Sequence, residues 1–148
     1  MDVLTIADVA FPVLRGVIGK LTPRNVEHPG WDWVIEIRCD DSAPLADDED
    51  DDADPFVLRG MSADVSAATL PLGDGAIESL VGRTFVCDEH EPPDGSGWMF
   101  FVVYVHEHEC LEHGTLAFLA HDGERIRVRI AGELVMGQVV VECWLTPE

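Results

Sequence analysis

The chain has 148 residues, 29 acids against nine bases, a net charge of −20 and 47% hydrophobic residues. A chain of this length buries enough surface to fold without a staple, so one domain over residues 1–148 is expected and disorder of the whole is excluded. The charge repels nucleic-acid phosphates and anionic membrane surfaces, which sets aside nucleic acid and membrane as partners. The longest apolar run, Trp98 to Val105, is eight residues, against roughly 20 for a membrane-crossing helix.

The opening MDVLTIADVAFPVL carries Asp2 and no basic n-region, which argues against a secretory signal. The cysteines, Cys39, Cys87, Cys110 and Cys143, form no C-x-x-C pair, so reduced thiols in a cytoplasmic protein are expected. Phe11 to Leu21 is β-branched and interrupted by Gly16 and Gly19, which predicts a strand with a bulge. Residues 22–30 read as a loop. In Trp31 to Cys39 the odd-numbered residues are apolar and Asp32, Glu36 and Arg38 lie opposite, the alternation of a half-buried strand.

Asp40 to Asp54 contains nine acids and no base. Self-repulsion and low hydrophobicity predict a mobile acidic loop over 40–54. Pro55 to Met61 reads as a strand. Residues 62–73 are ambiguous, too short and too limited by proline for a helix. Asp74 to Gly82 predicts a two-turn helix capped by Asp74 and closed by Gly82. Strands follow at 84–88, at 98–105 and from Thr115. The 98–105 strand is apolar on both faces, which predicts a central position in its sheet. Asp122-Gly123 sits between two apolar runs and predicts a two-residue hairpin turn. In the second run Ile126, Val128 and Ile130 face in while Arg125, Arg127 and Arg129 face out, able to pair with acids such as Glu142 or to form an anion-binding stripe. Gly137 to Leu145 is a last strand. About seven strands and one or two short helices predict a mainly β fold, with α+β as the variant: a single antiparallel sandwich or partly open barrel.

The stretch HEHECLEHG, His106 to Gly114, raises the question of a metal. His106, His108 and Cys110 alternate onto one strand face and His113 could fold back, yet no H-E-x-x-H occurs. A meander of the last five strands would put Cys87 and His90 near the start of 98–105, together with His121 and Cys143, and roughly 25 Å from His106. The reading taken is a solvated strand end, with no metal site and no cofactor. The acidic run fails the calcium-loop spacing, since Ala53 stands where glycine is needed and Arg59 where glutamate is needed. No G-x-S-x-G or phosphate-binding glycine motif is present, and no catalytic residue is assigned.

The functional expectation is a non-enzymatic acidic protein that docks or neutralises a basic protein partner through Asp47, Asp48, Glu49, Asp50, Asp51 and Asp52. In composition alone the chain resembles small acidic bacterial immunity proteins, which inhibit cationic toxins. The alternative is a β domain that binds a small ligand or a metal, with an enzyme as one form of it. An acidic host proteome would give the same composition and imply no partner. Open sheet edges leave room for a homodimer.

Overall fold

The computed structural model describes residues 2–20, 33–40, 63–70, 76–87, 101–105 and 108–148. The chain is mainly β. Its strands are β1 (Val3–Ile6), β2 (Val9–Lys20), β3 (Trp33–Cys39), β4 (Asp64–Leu70), β5 (Thr84–Cys87), β6 (Val102–Tyr104), β7 (His108–Cys110), β8 (Glu112–His121), β9 (Ile126–Leu134) and β10 (Gly137–Pro147). They form one curled antiparallel half-barrel in the order β5-β8-β9-β10-β1-β2-β3-β4-β6-β7.

Two strands serve both halves of the sheet. Val9 to Pro12 of β2 pair with β1, whereas the remainder of β2, from Val13, pairs with β3. Between Val13 and Arg15 the register shifts, leaving Leu14 62% exposed. A bulge bends its strand and increases the local twist, which is how one strand turns from one half of the sheet into the other. β10 does the same: Val139 to Val141 pair with β1, and Thr146 and Pro147 run parallel beside Val17 and Ile18. The approach of β10 to β2 needs Gly16. A Cβ there would lie 2.8 Å from the Leu145 side chain and 2.9 Å from the Trp144 carbonyl oxygen.

The third crossing is the stretch that begins at His108. β7 pairs with β6 in one half, and two residues later β8 pairs with β9 in the other. Leu111 marks the crossing. It is fully buried, its N–H donates to the Phe101 carbonyl at 2.8 Å, and its side chain sits on Gly132. Next comes His113 at φ 49°, within a second register shift between Glu112 and Thr115. Inward residues of both halves, among them Leu4, Phe11, Ile35, Phe101, Phe118 and Val128, form one buried cluster.

Several expectations need correction. Among the described residues ten strands replace about seven: β1 precedes the expected first strand, β7 is separate, and the ambiguous 62–73 stretch supplies β4. The β1–β2 turn is Ala7-Asp8, both at positive φ (48° and 67°), which is the geometry of a two-residue primed hairpin. Among the described residues a single 3-10 turn, Ile77–Leu80, replaces the helix; Ala76 precedes it without a side-chain cap. β6 is not central but next to the end strand β7. The DG hairpin exists with a longer connection: Ile126 pairs with His121, and Asp122 spans the turn by accepting from the N–H groups of Glu124 and Arg125. The expected 55–61 strand and residues 41–54 of the acidic loop lie outside the described residues.

Candidate functional site

The half of the sheet made by β2, β3, β4, β6 and β7 turns Ile35, Ile37, Val65, Phe101 and Val103 to the core. Alternation sends their neighbours outward. Cross-strand register aligns those neighbours into rows. Arg15 lies opposite Arg38, Arg38 opposite Asp64, Asp64 opposite Tyr104 and Tyr104 opposite His108. With strands about 4.8 Å apart, this row spans roughly 19 Å. A second row runs Val17, Glu36, Ser66, Val102 and Cys110.

A cleft of about 170 Å³ opens on this face, lined by Arg15, Glu36, Arg38, Asp64, Ser66 and Glu148 among others. Arg15 donates to a Glu148 carboxylate oxygen at 3.3 Å, with both side chains about two-thirds exposed (67% and 64%). The Arg38 side chain is exposed and makes no hydrogen bond or ion pair among the described residues. Tyr104 is 41% exposed, and its ring lies 4.6 Å from that of His108, tilted by 45°. A large aromatic standing out of a charged sheet face is the kind of residue that protein interfaces collect. β3 ends and β4 begins at the Arg38–Asp64 end, where the Cys39 N–H donates to the Ala63 carbonyl at 2.9 Å. The expected docking residues Asp47, Asp48, Glu49, Asp50, Asp51 and Asp52 fall between these two strands in sequence and lie outside the described residues.

The described members of the histidine and cysteine stretch do not come together as one cluster. His108 and Cys110 face outward on β7. Glu109 points the other way, with Oε2 buried and no hydrogen-bond partner among the described residues. His113 stands beyond Leu111, on β8 in the other half. His106 and His90 lie outside the described residues. Cys87 pairs with Gly114 in register, while His121 lies beyond the opposite, Thr84 end of β5. The expected meander, which set Cys87 beside His121, is therefore wrong, because β5 pairs with β8 and β6 pairs elsewhere. Among the described residues no three His, Cys, Asp or Glu side chains gather where they could hold a metal. Burial pushes the thiols of Cys39, Cys87 and Cys143 up to about 12, which leaves them protonated and unreactive as nucleophiles.

The arginine stripe faces outward on the other half, and its neighbours occupy most of it. Two N–H groups of Arg127 reach one oxygen of Glu142 at 2.8 and 3.1 Å, and a third reaches Asp2 at 3.5 Å. The bond to Glu142 raises the Arg127 pKa further. Arg125 holds Asp122 and lies 5.2 Å from the ring centre of Trp144. Asp122 is held down to about 2, first by the backbone N–H of Arg125 and then by that of Glu124. Arg129 is exposed and has no such partner among the described residues.

Sequence reasoning missed the cleft and its rows. The outward Glu36 and Arg38 were legible from alternation, but their facing residues come from β4, whose sequence carried no clear period. Comparison with protein-family models, curated sequences and solved structures finds no match. Among the described residues no helix is long and apolar enough to cross a membrane. The class defined by the fold is thus an acidic, mainly β protein with a charged outer sheet face.

Proposed function

We propose that the chain is a non-enzymatic acidic binding protein that docks and neutralises a basic protein partner. The observation that carries this reading is where the acid excess resides. Asp40 to Asp54 holds nine acids and no base, and the remainder of the chain is acidic as well, with 20 acids against nine bases. Within the sheet, Arg15, Arg125 and Arg127 are already matched by Glu148, Asp122, Glu142 and Asp2. With 20 acids against nine bases outside Asp40–Asp54, the acids of that run are not needed to balance the chain's own bases. A field of this sign speeds encounter with a cationic surface and repels an anionic one.

The test is kinetic. A basic partner captured on the immobilised protein should associate quickly at low salt and slowly at high salt. Reversing Asp47 to Asp52 to lysine should slow association and flatten that dependence. An association rate unaffected by both salt and the reversal would refute the reading.

A further inference from the structure

The geometry points to the outer face of β2, β3, β4, β6 and β7 as the surface that receives the partner, and to a partner that presents arginine side chains there. This rests on the reading of the chain as an acceptor of a basic protein and deepens it. Two observations converge on this face. The cleft is lined by three carboxylates, Glu36, Asp64 and Glu148. Glu36 and Asp64 make no ion pair among the described residues, and Glu148 is engaged only by an exposed arginine across 3.3 Å. Such an exposed pair contributes little to stability, so an incoming guanidinium can replace Arg15 at small cost.

Tyr104 supplies the second feature. It lies next to Asp64 in register, so a planar cation held by that carboxylate can rest against an aromatic ring. The outer face of the other half is less suited, because its central residues, Arg125, Arg127 and Trp144, are engaged with one another and with acids of the sheet.

Arg38 is the internal counter-argument and supplies the test. It stands on this face without a partner among the described residues and opposes any incoming cation. Removing it should tighten binding of a basic peptide. Arg129 is the matched control: also exposed, also without a partner among the described residues, but on the outer face of the other half. Arg38→Ala and Arg129→Ala change the net charge equally, so only location distinguishes them.

The experiment measures binding of a fluorescently labelled hexa-arginine peptide to the full chain by anisotropy at low salt. Arg38→Ala should tighten binding about threefold, as expected for removing a like charge within a Debye length. Arg129→Ala should change it by no more than about 1.3-fold. Tyr104→Ala should weaken it about threefold, the size of an exposed cation–π contact, and Tyr104→Phe should restore it. Circular dichroism of each variant shows that it is folded. Equal effects of the two arginine variants would overturn this assignment while leaving the basic-partner reading intact. No binding by the unmodified chain would overturn both.

Discussion

Leu111 and Gly132 make a pair whose coupling can be calculated in advance. Leu111 is fully buried where the chain passes from β7 to β8, and an alanine Cβ at position 132 would stand 2.5 Å from its Cγ and 2.9 Å from the Glu112 carbonyl oxygen. Gly132→Ala alone overfills this crossing and should cost about 2 kcal/mol, within the usual range for small-to-large changes in a packed site. Leu111→Ala alone leaves a cavity and should cost about 3 kcal/mol. In the double variant the new methyl enters the space that leucine vacated, so the two costs should fall short of additive by at least about 1 kcal/mol. The carbonyl contact persists in that background, which is why full relief is not expected. Urea denaturation of the four proteins, at constant m-value, measures the cycle. Additive costs would refute the placement of Leu111 on Gly132 and with it this crossing of the half-barrel.

Further outcomes follow from the polar groups. The depressed Asp122 pKa gives stability that is present above its ordinary value of 3.8 and is lost as pH falls toward about 2, so Asp122→Asn should flatten the stability slope in that window in acid titrations followed by circular dichroism. Cys110 should alkylate in the native protein well before Cys39, Cys87 and Cys143, whose buried thiols stay protonated; mass spectrometry of a timed iodoacetamide reaction at pH 8 reads the order, and comparable labelling of a buried cysteine would contradict the burial. Arg127→Ala should cost about 1 kcal/mol through Glu142 and Asp2, whereas Arg129→Ala should stay within about 0.5 kcal/mol, as judged by urea midpoints. Glu109→Met removes a buried carboxylate oxygen that lacks a partner among the described residues, and it should stabilise by about 1 kcal/mol in the same assay.

What could be read from the chain, and what could not, follows from where each signal resides. β3 and β9 were legible because their apolar residues repeat every second position against a largely charged opposite face. β1 was hidden because its hairpin turns on Ala7-Asp8, which adopts left-handed torsions without the glycine or asparagine that usually announces them. The crossing at Leu111 was hidden because its only signal is one leucine inside the polar run HECLEH, read as a solvated strand end. β6 was misplaced for a different reason: apolar character on both faces suggested burial on both sides, whereas Tyr104 stands exposed on the outer face. The rows of the candidate site arise from register between residues such as Arg38, Asp64 and Tyr104, which are far apart in sequence. No local periodicity records such a pairing.

The claim that the acid surplus serves a partner is tested most directly by affinity capture from lysate of the source organism. The bait is the full chain, beside an unrelated acidic protein of equal net charge, at low and at high salt. The account predicts one basic protein retained in near-equal amount on this chain, weakened by salt and absent from the control. The same set of proteins on both baits, or none on either, would contradict it.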